Sequence, residues 1–175
     1  MKFMNGSMGS VVGEKATRLI ELATNLRIPL ILICASRGAR IQEGIFSLIQ
    51  MAKITSALHA YKKTKNSVYI AVLTSPTSGS VAASFAMLGD IVISEPQALI
   101  GFARRKGVQQ KPFETSELLF EQGLLDIIVE SSLFKEVLSE IIELYNESPC
   151  FYKKDVSRMS TNPQTWKKKN NLLEP

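Results

Sequence analysis

Three times along this chain, an apolar run ends in small residues and glycine and then gives way to a segment with helical spacing. The junctions are Gly6-Ser7-Met8-Gly9-Ser10, Ser36-Arg37-Gly38-Ala39-Arg40 and Thr77-Ser78-Gly79-Ser80. A repeating order of strand, turn and helix restricts the fold to the α/β class, with parallel strands joined by helices. It also concentrates chemistry at the turns. A helix start presents unpaired N–H groups and a partial positive charge, and glycine lets a ligand come close to the backbone. Such a turn can hold a phosphate or the oxygen of a thioester enolate. The same residues also serve simply to cap helices after strands, and for any one turn both readings stay open. The phosphate-loop pattern GxxxxGK[ST] and the dinucleotide pattern GxGxxG are absent.

The hydrophobic pattern fills in the elements between the turns. Residues 1–10 read as the end of a strand and a glycine-rich turn. Residues 11–25 carry Val12, Ala16, Leu19, Ile20 and Ala23 at helical spacing. The continuous run at 30–35 predicts a strand buried on both faces. Residues 43–61 read as a long helix with an uneven face of Ile45, Leu48, Ile49, Ala52, Ser56 and His59. A second buried strand follows at 68–73, then a break at 74–80 and a short alanine-rich helix at 81–88. Short strands at 91–94 and 98–102 flank a turn at Glu95-Pro96-Gln97. A helix at 116–122 stops at Gly123, a strand occupies 127–129, and an amphipathic helix closes the domain at 133–145. Residues 1–147 form one domain, and the polar, lysine-rich 148–175 reads as a flexible tail. Trp166 in that tail is either a partner anchor or simply exposed.

Composition removes several function classes. The length of 175 residues suits one domain with a core that needs no staple. Cys34 and Cys150 form no CxxC pair, so neither a zinc ribbon nor a disulfide framework is encoded and no metal site is expected. Cys34 lies in an apolar run and reads as a buried, reduced thiol. The net charge of +5 comes largely from Arg104-Arg105-Lys106 and Lys167-Lys168-Lys169, without a domain-wide basic face. RNA-binding and zinc-finger patterns are absent, so no nucleic-acid partner is expected. The longest strongly apolar run, 28–35, is too short to span a bilayer, and no transmembrane segment is expected. The opening Met1-Lys2-Phe3-Met4 has neither a signal peptide's apolar region nor an Arg- and Ser-rich transit character. His59 is the single histidine and precedes the Gly79-Ser80 turn, whereas a Clp-type serine protease needs a histidine downstream of its serine. Glu14, Glu43 and Asp90 are candidate acids without a spacing that identifies a site, and Glu43 suits the start of its own helix. Chemistry therefore falls to backbone donors.

The same turns carry a resemblance. The stretches Phe3-Met4-Asn5-Gly6-Ser7-Met8-Gly9-Ser10-Val11-Val12-Gly13 and Cys34-Ala35-Ser36-Arg37-Gly38-Ala39-Arg40-Ile41-Gln42-Glu43 resemble the beta subunits of bacterial and plastid acetyl-CoA carboxylase carboxyltransferases. So do Leu48-Ile49-Gln50-Met51-Ala52-Lys53, Thr74-Ser75-Pro76-Thr77, Ala83-Ser84-Phe85-Ala86-Met87-Leu88-Gly89-Asp90, Glu95-Pro96 and Ala98-Leu99-Ile100-Gly101-Phe102-Ala103. Together they cover about residues 3–146.

The resemblance implies a crotonase-like (ClpP/crotonase) spiral of ββα units. It implies an alpha2beta2 assembly with an alpha subunit, the active site lying between the two kinds of chain. The implied reaction moves a carboxyl group from carboxybiotin to acetyl-CoA, giving malonyl-CoA for fatty-acid synthesis. Carboxybiotin arrives on the biotin carboxyl carrier protein, charged by biotin carboxylase, and this chain binds no cofactor covalently. Gly79 and Ser80 are the implied backbone oxyanion donors. Ser36, Arg37, Gly38 and Ala39 are implied to position substrate. Arg104, Arg105 and Lys106 suit CoA phosphates or, equally, an ordinary solvated loop.

Several positions depart from the family pattern. Arg37 and Ser80 stand where the family commonly has glycine, as does Asn5, and the 104–113 segment is altered and shorter. The family's zinc ribbon and first strands are expected to be missing. A non-catalytic subunit that keeps the alpha-subunit interface, or another crotonase-like enzyme such as a hydratase or isomerase, are the alternatives. The lysine-, asparagine- and isoleucine-rich wording resembles plastid-encoded proteins, which implies the plastid stroma, with bacterial cytoplasm as the alternative.

Overall fold

A computed structural model describes residues 3–64, 68–101 and 114–147. Its spine is strand β2 (Tyr69–Ser78), which has neighbours on both sides. β1 (Leu30–Ser36) and β3 (Ile91–Ser94) pair with its first half in parallel, with Leu30 opposite Tyr69 and Ile70 opposite Ile91. Beyond a register shift at Cys34/Ser36, Thr77 and Ser78 pair in parallel with Ile100 and Gly101 of β4 (Leu99–Gly101). β5 (Glu114–Thr115) adds antiparallel to β4, and β6 (Ile127–Ile128) adds parallel to β3. The order is β5-β4-β2-β3-β6, with β1 on β2.

Side chains alternate across a strand, and β2 uses both faces. Tyr69, Ala71 and Leu73 join the core under helices α1 (Ser10–Leu26) and α2 (Ile45–Lys62). Ile70 and Val72 join a second cluster with Ile93 and Val129, covered by Phe134, Val137, Leu138, Ile141 and Ile142 of α4 (Phe134–Glu147). This is the continuous burial expected of 68–73. The same expectation for 30–35 does not hold. Ile31 reaches the α4 cluster, but Ile33 is 65% exposed and Ala35 is also exposed. β1 has a single neighbour among the described strands, and its far end has no described layer on that face.

Both long helices form, but their buried faces differ from those expected. In α1 the buried residues are Gly13, Thr17, Ile20 and Ala23, leaving Val12 and Leu19 exposed. Gly13 is buried because α2 crosses close to it: a β-carbon there would lie 2.5 Å from Gln50 Oε1. In α2 the buried stripe is Ser47, Met51, Ile54, Leu58 and Tyr61. The stripe of Ile45, Leu48, Ile49, Ala52, Ser56 and His59 is exposed instead. Apolar residues surround the first turns of this helix, so periodicity alone does not select the sheet-facing side.

Three further expectations change. The break at 74–80 is in fact the end of β2. Thr74 Oγ1 and Thr77 Oγ1 both donate to the Cys34 carbonyl, at 3.0 and 2.8 Å, and hold the strand together past its irregularity. Residues 81–84 form turns, and only a short 3₁₀ helix follows at Phe85–Leu88, held by the Tyr69 hydroxyl on the Phe85 carbonyl at 2.8 Å. Before α1 there is a 3₁₀ turn (Met4–Gly6) and one parallel bridge between Met8 and Ala39, with no strand described there. By contrast, 91–94 is the expected strand, and helix α3 (Ser116–Glu121) stops just before Gly123, whose φ is +74°. The 148–175 tail and Arg104-Arg105-Lys106 lie outside the described residues.

Candidate functional site

The first glycine turn has its ligand already, and the ligand is internal. The Ser10 N–H at the start of α1 donates to Glu43 Oε2 at 2.6 Å. Arg40 Nη1 donates to the other Glu43 oxygen at 2.9 Å, and Arg40 Nη2 donates to the Ser7 carbonyl at 3.1 Å. The Arg40 guanidinium also lies over the Phe3 ring, 5.5 Å from its centroid. A β-carbon on Gly9 would fall 2.3 Å from Glu43 Oε1, so glycine is what admits this carboxylate. The Ser10 hydrogen bond foremost, with Arg40 in support, holds the Glu43 carboxyl below the usual range. Glu43 therefore caps α1, 33 residues earlier, in addition to preceding α2.

The second and third turns face one another. Gly38 and Gly79 have φ values of +94° and +65°, a region that favours glycine. A β-carbon on Gly38 would lie 3.2 Å from the Ser78 carbonyl oxygen and 3.4 Å from the Ser80 nitrogen. One on Gly79 would lie 3.6 Å from both the Arg37 oxygen and the Gly38 α-carbon. Ser36 fixes the second turn from behind: its Oγ donates to the Gly6 carbonyl at 2.8 Å and accepts the Gly38 N–H at 3.2 Å. The Ala39 N–H donates across the gap to Ser80 Oγ at 3.0 Å.

The donors can be followed one by one. Gly79, an expected oxyanion donor, gives its N–H to the Gly101 carbonyl at 2.7 Å. The N–H of Ser80, the other expected donor, has no acceptor among the described residues, nor do those of Val81 and Ala82. The N–H groups without an acceptor among the described residues thus include the expected Ser80 but not Gly79, and run one to three residues beyond that glycine. Unpaired N–H groups held in place act most strongly on an oxygen that gains negative charge during reaction. Arg37 is exposed beside this junction. Thr74 and Thr77, which hold β1 to β2 here, carried no sequence signal for such a role.

No acid or base is free at the junction among the candidates. Glu14 pairs with Lys53 and Arg18 on the helix surface. Glu43 is engaged as described. Asp90 pairs with Lys62 at 2.6 Å and accepts the Tyr69 N–H at 2.9 Å. His59 is exposed on α2. Burial pushes the Cys34 thiol up to about 12, which keeps it protonated and unreactive. Among the described residues, no group of His, Cys, Asp and Glu is arranged to hold a metal ion, and no helix is long and apolar enough to cross a membrane.

The mixed α/β fold is crotonase-like, as its likeness to solved structures shows. An enoyl-CoA hydratase from Mycobacterium avium superposes with a TM-score of 0.64 at 15% identity, over 83% of this chain and 71% of that one. A Pseudomonas malonate decarboxylase hetero-tetramer gives 0.69 at 20% identity, over 99% and 67%. The transcarboxylase 12S structure gives 0.67 at 25% identity, over 79% of this chain and 28% of that one. The carboxyl transferase domain model matches residues 1–112. The chain belongs to this carboxyl transferase family. Among its relatives are the chloroplastic acetyl-coenzyme A carboxylase carboxyl transferase beta subunits of Chlorella vulgaris and Marchantia polymorpha. These are 58% identical over 84% of this chain and 56% identical over 85% of it. The chain spans 38% and 49% of those two relatives, about half their length or less.

Proposed function

We propose that this chain serves as the beta subunit of a plastid-type acetyl-CoA carboxylase carboxyltransferase. It takes the carboxyl group of carboxybiotin, presented by the biotin carboxyl carrier protein, and delivers it to acetyl-CoA to give malonyl-CoA for fatty-acid synthesis. The observation that carries this reading is the Ser80 N–H, which has no acceptor among the described residues, where the 36–39 and 79–82 turns meet. As CO2 leaves biotin, the biotin nitrogen takes a proton from the acetyl methyl group, and the enolate so formed attacks the CO2. The protein then needs no acid or base of its own, only donors for the enolate oxygen and a means of orienting two substrates. That agrees with three acids already tied into the fold, and it argues against a hydratase or isomerase. Ser36, Gly38 and Ala39 position substrate in this reading, and Arg37, which is exposed, meets a CoA phosphate together with Arg104, Arg105 and Lys106.

Its partners in this reading are the alpha subunit, which completes the site in an alpha2beta2 assembly, together with biotin carboxyl carrier protein and biotin carboxylase. Its compartment is the plastid stroma, in keeping with chloroplastic relatives. The test is malonyl-CoA formation by the complex of this chain with the alpha subunit, supplied with carboxybiotin carrier. No turnover by a verified complex rejects the catalytic reading. One observation favours a second reading, a subunit that keeps the alpha interface without activity. The Gly79 and Ala39 N–H groups are both engaged within the chain. That reading expects co-purification with the alpha subunit and no acetyl-CoA binding.

A further inference from the structure

Ser80 offers two donors at one point. Its N–H has no acceptor among the described residues. Its hydroxyl oxygen accepts the Ala39 N–H at 3.0 Å, and the hydroxyl proton has no acceptor among the described residues. A serine hydroxyl carries one proton to donate besides its lone pairs, and a group that accepts a hydrogen bond becomes a stronger donor. The neighbouring Ser84 hydroxyl does not compete, because it donates to the Ser80 carbonyl. With no side chain at position 80, the Ala39 N–H would lose the acceptor that Ser80 Oγ gives it.

We propose that the Ser80 hydroxyl is a catalytic residue, relaying the Ala39 amide to the substrate so that the thioester oxygen is held by the O–H and N–H of this one residue. The inference rests on the carboxyl-transfer reading for the identity of that oxygen. It converts a departure from the family's glycine pair into a replacement donor.

The experiment uses the complex of this chain with its alpha subunit and the variants Ser80→Ala, Ser80→Thr and Ser80→Gly. Loss of one oxyanion donor lowers kcat by about 10²–10³-fold, so Ser80→Ala is expected to fall in that range with KM for acetyl-CoA little changed. Ser80→Thr keeps the hydroxyl and recovers most of the rate. Ser80→Gly falls between, because the Ala39 N–H becomes reachable. A rate for Ser80→Ala equal to or above wild type overturns the proposal and identifies the hydroxyl as an obstruction. Equal losses in all three variants with a lowered Tm also overturn it, since the hydroxyl would then only tie two turns together.

A binding measurement separates this outcome from failure of the carboxyl-transfer reading. Calorimetry compares acetyl-CoA with its thioether analogue, in which the carbonyl is a methylene. Wild type is expected to prefer the thioester, and Ser80→Ala to lose about tenfold of that preference, or about 1.4 kcal/mol. If wild type transfers no carboxyl group, the parent reading falls and this preference still decides Ser80. No thioester preference in wild type sinks the role of Ser80 directly.

Discussion

The first glycine turn and the facing pair of later turns have the same local chemistry and opposite fates. At the first, the α1 start is filled by Glu43, and Gly9 leaves just enough room for that carboxylate and Arg40. At the pair, Gly38 and Gly79 let two backbones approach, and the Ser80 N–H has no acceptor among the described residues. A glycine-marked turn is therefore a capacity for holding an anion, and the rest of the fold determines whether protein or substrate fills it. Under the proposed function the first turn belongs to architecture and the pair to chemistry, and substitutions test that division.

The largest effect is expected at Gly38. Alanine there must adopt a φ of +94° and place its β-carbon 3.2 Å from the Ser78 oxygen. Either the backbone strain of about 1–2 kcal/mol is absorbed or the two turns separate. Separation misplaces the Ser80 donor and lowers carboxyl transfer by about 10²-fold or more. Malonyl-CoA formation by the complex measures this, and a Gly38→Ala variant with normal turnover breaks the assignment of chemistry to the pair.

Gly9→Ala should act on stability instead. Its φ of −107° suits any residue, so the whole effect is the clash with the Glu43–Arg40 pair, whose Oε1 and Nη1 would lie 2.3 and 2.5 Å from the new β-carbon. Overpacking of this kind costs roughly 1–3 kcal/mol, read from denaturant midpoints. Because the obstacle is the ends of two flexible, paired side chains, and Glu43 holds Arg40 there, the Gly9→Ala and Glu43→Ala changes should be non-additive in a double-mutant cycle. Additive effects would mean that the Glu43 carboxylate is not what fills the first turn. Gly123→Ala provides the reference: φ is +74° and a β-carbon would meet nothing within 4 Å. About 1 kcal/mol of backbone cost, with carboxyl transfer unchanged, is the expected outcome there.

What could be read from the sequence follows from how local each determinant is. The three turns were legible because glycine and serine after an apolar run form a local pattern. Strand 91–94 was legible because Ile91-Val92-Ile93 is short, β-branched and bounded. Which turn is open was not legible, since it depends on Glu43 reaching back to Ser10 and on Gly101 taking the Gly79 N–H. The extension of β2 through Pro76 was hidden for the same reason. Thr-Ser-Pro-Thr reads locally as a break, while the bonds that hold it in the sheet end on Cys34, about 40 residues earlier. The sheet-facing side of α2 was ambiguous because Ile45, Phe46, Leu48 and Ile49 form a second, exposed apolar face beside the buried one.

The smallest effect sharpens the comparison through pH. Glu43 titrates lower in the folded chain than in the unfolded one, chiefly through the Ser10 hydrogen bond. Its contribution is therefore present in full above the ordinary glutamate value of 4.5, and it is lost as pH falls through the lower folded value. Glu43→Gln should remove part of the acid-side slope of stability below about pH 4.5 and leave neutral-pH carboxyl transfer near wild type. Arg40 still reaches the Ser7 carbonyl in that variant, so the first turn keeps one of its ties. Thermal unfolding followed from pH 3 to pH 7 reads the slope. An unchanged slope would show that the carboxylate does not serve the α1 start. A large loss of carboxyl transfer would show instead that the first turn and the facing turns are coupled through the Met8–Gly38 hydrogen bond, 2.8 Å long, that joins them.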